Sequence, residues 1–327
     1  MTLRTAVRLT RPFTLLPPLL GILSGAVCGF GSVHNPDPAH RVTPVLLGIV
    51  ALGALCASLL NAASNVLNQI TDLEVDRINK PDRPLVTGEA TIRSASRLTW
   101  ILYALAMIPT WWIVVPALPG AAARALAPVP MHQCFFLFLG GLVATLVYSV
   151  PAFGRTKRLG VWANLTIAIP RGTLLKVAGW TLVASAFAAE PWAIGGIFGL
   201  FLLGASSTKD FSDAEGDRAG GCETLPVKYG NRKAVAMISP FFVAPWLLLT
   251  SLAWAKDPLA PGQRLLSGNP WLLTALGLLL AAWGAYTVHL LRRNPDELAT
   301  TENHPSWTHM YLMLMAAQVG FAAAYLF

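Results

Sequence analysis

Asn68, Asp72 and Asp76 recur every four residues, and Asp210, Asp213 and Asp217 every three or four. On a helix each set lies on one face. The Asn offers a neutral carbonyl oxygen and the five Asp offer hard anionic oxygens. That donor set suits Mg²⁺, which takes one or two carboxylates together with waters and phosphate oxygens. The surrounding segments are near copies: Thr71-Asp72-Leu73-Glu74-Val75-Asp76-Arg77 and Ser212-Asp213-Ala214-Glu215-Gly216-Asp217-Arg218. A single Asp-x-x-x-Asp is as consistent with a solvated helix end as with a ligand set. Two in matching places point to one metal site, with Glu74 and Glu215 turned elsewhere.

Carboxylates and metal alone would bind any phosphate, and the cations narrow the choice. Arg77, Lys80 and Arg83 follow the first acidic segment. Arg155, Lys157 and Arg158 fill a third short loop, with Tyr148 about a turn before it. Lys and Arg clamp phosphate oxygens and stabilise charge moving onto a leaving group. Lys157, close to Tyr148-Ser149-Val150-Pro151, is expected to act on substrate; Arg158 and Arg292 are expected only to set topology. The pattern predicts a Mg²⁺–diphosphate site above an apolar interior, fitted to a substrate with a diphosphate head and an oily tail.

These residues must be positioned by membrane helices. The chain of 327 residues is 54% hydrophobic and 12% charged, with mean hydropathy +0.55. A soluble protein carries about twice that charged fraction. Nine apolar runs of spanning length are predicted: 13–33, 43–66, 97–118, 133–151, 161–185, 190–208, 234–254, 270–290 and 306–326. They are continuous rather than alternating, which excludes a β-barrel. No cleavage site follows the first run, so no signal peptide is expected. The segment 4–11 reads as a basic helix lying on the membrane face.

With nine spans, nearly all Lys and Arg fall on one side, together with both acidic segments. By the positive-inside rule that side, and the N-terminus, is cytoplasmic. The same bias accounts for the net charge of +8 without nucleic acid, for which no motif is present. Cys28, Cys56, Cys134 and Cys222 show no pairing pattern and read as apolar filler, apart from Cys222 in the second acidic loop. The acidic motif follows the second span and again the sixth, which predicts two related four-helix halves plus one helix, in a single domain over 1–327. Loops near 34–42, 119–132 and 255–269 read as plain connectors.

The fifth span carries Arg171 and Lys176 beside Pro170. Cations at that depth cannot face lipid cheaply. They are expected to contact an anionic acceptor or a second phosphate, with Asn164 and Trp180 lining the same cavity.

The chain resembles the UbiA superfamily of intramembrane prenyltransferases. The first signature is Asn68-x-x-x-Asp72-x-x-x-Asp76 followed by Ile78-Asn79-Lys80-Pro81-Asp82-Arg83-Pro84-Leu85. The second is Lys209-Asp210-x-x-Asp213-x-Glu215-Gly216-Asp217-Arg218 followed by Thr224-Leu225-Pro226-Val227 and Gly230. Tyr148-Ser149-x-Pro151 with Lys157 is similar to the basic loop between them, and Arg11-Pro12 to the start of the first span. The resemblance covers the whole chain. It implies an all-α membrane protein with nine transmembrane helices around a central cavity, Mg²⁺-dependent ionisation of an allylic prenyl diphosphate, and attack by a hydrophobic acceptor in the bilayer. It assigns catalysis to Asp72, Asp76, Asp213, Asp217, Lys157 and Tyr148. Metal ligation falls to Asn68, Asp72, Asp76, Asp210, Asp213 and Asp217. Substrate contacts fall to Asn68, Arg83, Arg77, Arg11, Arg155, Lys209, Asp210, Arg171, Lys176 and Asn164. Gln69 stands where Asp is common in that family. The acceptor stays open among an ether-lipid glycerol, a chlorin carboxylate and an aromatic ring, leaning to the first two. A terpene cyclase using the same diphosphate, and a transporter, are the competing readings. A plasma-membrane location is expected.

Overall fold

A computed structural model describes residues 1–301 and 304–327. Among the described residues the only β-pairing is one isolated bridge, and helices carry the fold. Helix α1 (Leu3–Thr10) leads into α2 (Leu16–Gly31), α3 (Pro44–Thr71) and α4 (Leu73–Asn79). Then come α5 (Ile92–Met107), α6 (Gln133–Ser149), α7 (Val161–Ala168), α8 (Leu175–Trp180) and α9 (Ala189–Ala205). The chain closes with α10 (Ala214–Ala219), α11 (Asn231–Ile238), α12 (Ala244–Leu252), α13 (Pro270–Arg293) and α14 (Pro305–Leu326).

The starts are written locally. Thr43 Oγ1 accepts from Leu46 N ahead of Pro44, Thr91 and Ser94 form a capping box on α5, and Asn269 Oδ1 accepts from Trp271 N and Leu272 N on α13. Proline in the first turn costs nothing there, because its missing N–H would be unpaired anyway.

Among the described residues six helical segments, rather than the nine expected, are long and apolar enough to cross a membrane unaided. The 133–151 run yields the shorter apolar helix α6. The other two are broken by proline. Span 97–118 passes from α5 into a 3₁₀ turn at Ile108–Trp112 around Pro109. Span 161–185 is interrupted by a π-turn, Ile169–Leu174. Pro170 lacks the N–H that an α-ladder needs, and a wider turn accommodates the gap.

Helices α2 and α8 cross where Gly25 meets the backbone of Lys176 and Gly179, so close that a β-carbon at Gly25 would collide with the Lys176 carbonyl. Small residues at such crossings let helix backbones approach and gain dispersion contact, which drives association in lipid. The largest buried apolar cluster lies around α9, with Phe198, Phe201, Phe242, Trp246 and Phe321 all fully enclosed.

Candidate active site

The two acidic segments adopt one backbone form. Asp72 caps α4 with φ −104° and ψ 15°, and Asp213 caps α10 with φ −96° and ψ 1°. α3 passes through Asp72 straight into α4, whereas α9 reaches Asp213 and α10 through a 3₁₀ turn, Ser206–Thr208, and a further turn. The two short helices pack on each other through Asn79. Its Nδ2 donates to the Asp213 carbonyl at 3.0 Å and its Oδ1 accepts from Gly216 N at 3.1 Å. Gly216 is required there, because a β-carbon would occupy the Asn79 amide. This clamp was not anticipated from sequence, although Asn79 and Gly216 both lie inside the signature segments.

Lys157 joins the halves chemically. Its Nζ lies 2.5 Å from Asp72 Oδ2 and 4.0 Å from Asp217 Oδ1. Arg155 Nη2 donates to Asp72 Oδ1 at 3.0 Å and to the Thr71 carbonyl at 2.9 Å. Arg155 has φ 42°, a left-handed conformation uncommon for a side-chain-bearing residue, beside Gly154 at φ 102°. Those two hydrogen bonds hold it there. Arg83 Nη1 donates to Asp76 Oδ2, and Lys80 Nζ lies 3.4 Å from Asp213 Oδ1.

Asp72, Asp76 and Asp217 are each at most 5% exposed. Burial pushes Asp217 up to about 6, with Lys157 opposing and Asp213 and Asp72 adding to the rise. Burial likewise raises Asp76 against the pull of Arg83. Asp210 stands well above the usual carboxylate range, through burial and through Asp217 and Asp213. Burial alone would lower Lys157, but Asp72, Tyr148 and Asp217 outweigh it and raise it. Burial and neighbouring carboxylates raise Asp76, Asp210 and Asp217 together, and Asn68 Oδ1 is buried without a partner among the described residues. These are hard oxygen donors short of positive charge, and they fit Mg²⁺. As they stand, no three acids among the described residues gather around one point, because Lys157, Arg155, Arg83 and Lys80 lie between them.

The other expected residues fall into two groups. Near the site lie Tyr148, half-buried and within electrostatic reach of Lys157, Asp72 and Arg171, and Lys209, whose Nζ is 5.8 Å from the Trp307 ring centre. Arg11 ends α1 in a left-handed turn with φ 54°, within electrostatic reach of Arg83 and Arg171. Its turn is held by a ladder on α3. Asn61 donates to the Thr14 carbonyl, Asn65 to the Thr10 carbonyl and Gln69 to the Leu9 carbonyl. The last bond accounts for Gln69, since an aspartate could not donate there.

Three residues are placed away from the acids. Arg77 is exposed and pairs with Glu74 at 2.9 Å, on the outer side of α4. Asn164 is buried and spends its amide on the Leu203 carbonyl and Ser207 Oγ, tying α7 to α9. Lys176 is enclosed between α2, α9 and α14, whereas Arg171 is exposed and has no partner among the described residues. Five residues apart, the two cations of the fifth span fall about 140° apart around an α-helix, and one is exposed while the other is buried.

The sequence profile described as the UbiA prenyltransferase family matches residues 19–304. The chain belongs to the UbiA prenyltransferase family. It is therefore a prenyltransferase and an integral membrane protein. Similar curated relatives include a digeranylgeranylglyceryl phosphate synthase from Thermococcus gammatolerans, 29% identical with 91% of this chain and 90% of that one covered. A bacteriochlorophyll synthase 34 kDa chain from Chloroflexus aurantiacus is 26% identical, with 97% and 90% covered. The fold is shared with a UbiA homolog from Archaeoglobus fulgidus bound to GPP and Mg²⁺, at TM-score 0.63, 22% identity and coverage of 97% and 99%.

The Asn79 clamp gives this UbiA-family site a specific test. Asn79→Ala leaves the Gly216 N–H and the Asp213 carbonyl without partners, at about 1–3 kcal/mol. Activity is expected to fall roughly ten- to a hundredfold, as for groups that orient metal ligands. The Mg²⁺ concentration for half-maximal rate should rise with it. A variant with unchanged Mg²⁺ dependence would show that the two short helices hold their register without the clamp.

Proposed function

We propose that this chain ionises an allylic prenyl diphosphate and transfers the prenyl group to a membrane-associated acceptor. The observation that carries the reading is Lys157, shared between Asp72 of the first acidic segment and Asp217 of the second. A cation suspended between two ligand sets can change partners. With a diphosphate bound, Lys157, Arg155, Arg83 and Lys80 would meet its oxygens, and Asn68, Asp72, Asp76, Asp210, Asp213 and Asp217 would hold Mg²⁺. The metal, when bound, neutralises the diphosphate as a leaving group. The bond from C1 to oxygen breaks with its electron pair going to the diphosphate, and Lys157 and Arg155 stabilise that charge. The Tyr148 ring supports the allylic cation from one side. The acceptor then forms its bond to C1.

The bundle is read as nine crossings around a cavity, in a single domain, once the broken 97–118 and 161–185 stretches and α6 are counted as spans. The Lys/Arg excess on one side supports a cytoplasmic acidic mouth and N-terminus, and a plasma-membrane location is part of the same reading. Two relatives are named for digeranylgeranylglyceryl phosphate and bacteriochlorophyll synthesis, and the acceptor is read as one bearing an anionic phosphate or carboxylate. Arg171, exposed and unpartnered among the described residues, is suited to such an anion.

The test is purified protein with Mg²⁺ and labelled geranylgeranyl diphosphate, with a phosphoglycerol ether lipid, a chlorin carboxylate or a phenol supplied in turn. Acceptor-dependent product supports transfer; a cyclic hydrocarbon formed without acceptor would replace this reading with a cyclase. Arg171→Met is expected to raise the acceptor KM roughly tenfold, the weight of one charge-assisted hydrogen bond. Diphosphate release without acceptor should stay near its original rate. Normal transfer by this variant would place the acceptor elsewhere.

A further inference from the structure

The end of the bundle opposite the acidic segments holds ionisable groups that the chemistry above does not use. Glu190, in the first turn of α9, is wholly buried. Its carboxylate accepts from Ser267 N at 2.5 Å, from Ser267 Oγ at 2.9 Å and from the Tyr325 phenol. His34 Nε2 lies 3.4 Å away. One carboxylate thus gathers four segments remote in sequence: the turn after α2, the start of α9, the loop before α13 and the last turn of α14. That loop is no slack connector. Leu265 N donates to the Ala255 carbonyl at 2.8 Å, and Asn269 N to the Ala324 carbonyl at 2.7 Å.

A second polar layer lies deeper. Lys176 Nζ donates to Ser24 Oγ at 2.6 Å and to Gln318 Oε1 at 2.9 Å. It also sits 4.8 Å and 5.3 Å from the ring centres of Phe198 and Phe321. Ser24 Oγ in turn donates to the Gln318 carbonyl at 2.5 Å. Cys28 follows Ser24 by one turn of α2, and Tyr325 follows Gln318 by two turns of α14. The fully buried Cys28 thiol therefore lies between the layers.

A charge buried at this depth costs several kcal/mol and is often less stable than an apolar replacement. Neither Glu190 nor Lys176 reaches the acidic mouth. What the two layers supply is directional closure. Bonds from several segments fix the seam between the first and last long helices, and partnered polar groups recruit no water.

We propose that these layers are a two-tier seal that bars water from the interior at the far end of the bundle. This rests on the prenyl-transfer reading. After ionisation, water adding to C1 gives a prenyl alcohol and releases a proton, so the donor is consumed without transfer. Glu190 and Lys176 are positioning residues: they decide which nucleophile the allylic cation meets.

The experiment uses the full chain in nanodiscs and a small charged thiol-reactive reagent, with modification read by mass spectrometry at the Cys28 peptide. Cys28 should be protected in the unaltered protein. In Glu190→Ala it should react at least roughly tenfold faster, because local opening governs access to a buried group. Tyr325→Phe keeps the volume, removes one donor and should give a smaller increase; it also serves if Glu190→Ala does not fold. Glu190→Ala combined with Lys176→Met breaches both tiers. Its prenyl alcohol share should rise several-fold, while total diphosphate release stays within about twofold, since the diphosphate site is at the other end. Cys28 remaining protected in both single variants overturns the seal. So does an unchanged alcohol share in the double variant once Cys28 is open. The labelling arm needs no turnover, and it stands or falls independently of the prenyl-transfer reading.

Discussion

Asp72→Ala is expected to lower turnover by roughly a thousandfold or more, at the upper end for removal of one transition-state contact. Asp72 is 2% exposed and holds both Arg155 and Lys157. Its loss removes a hard ligand and also releases the two cations that meet the leaving group. Lys157 then keeps only Asp217, at 4.0 Å. The measurement is diphosphate release as a function of Mg²⁺, with insertion checked by size exclusion in detergent. Asp213→Ala should fall as far, and Asp76→Ala and Asp217→Ala nearly so. Glu74→Ala should be mild, since Glu74 is exposed and, among the described residues, bonds only Arg77. Activity within tenfold of the parent for Asp72→Ala, or full activity in EDTA, would refute the metal site.

Lys157→Met should cost roughly a hundred- to a thousandfold in diphosphate release. It should also destabilise the protein, because Asp72 and Asp217 would face each other without their shared cation. Breaking a buried pair at one partner costs about 3–5 kcal/mol, whereas replacing both partners can be neutral. Adding Asp72→Asn to Lys157→Met should therefore recover much of the Tm and none of the turnover. Arg292→Ala, at the exposed end of α13, should be nearly silent. Equal losses for Lys157 and Arg292 would reduce Lys157 to a topology signal. Recovery of turnover in the double variant would show that Lys157 acts on stability alone.

The sequence by itself determined the membrane class, the paired acidic segments and the family. Each is local or repetitive. An apolar run states its length, an i, i+4 carboxylate pair states its helix face, and a duplicated motif states that two such faces belong together. Arg77, assigned from sequence to the substrate, instead pairs with Glu74, three residues away on the same short helix.

Only the tertiary structure decided how these parts meet. Lys157 and Asp72, Asn79 and Asp213, and Gln69 and Leu9 are contacts between remote segments, and no periodicity encodes them. The sequence grouped Arg171 with Lys176 because both are deep cations on one span. Their five-residue spacing puts them on different faces of an α-helix: Arg171 stays exposed, without a partner among the described residues, while Lys176 enters the seam of α2 and α14. Two of the nine apolar runs are broken where hydropathy does not show it. Hydropathy averages over prolines such as Pro109 and Pro170, whereas the hydrogen-bond ladder breaks at them. Composition fixes what a segment can bury; the geometry of its backbone bonds, settled only when neighbours pack, fixes which side chain faces which partner.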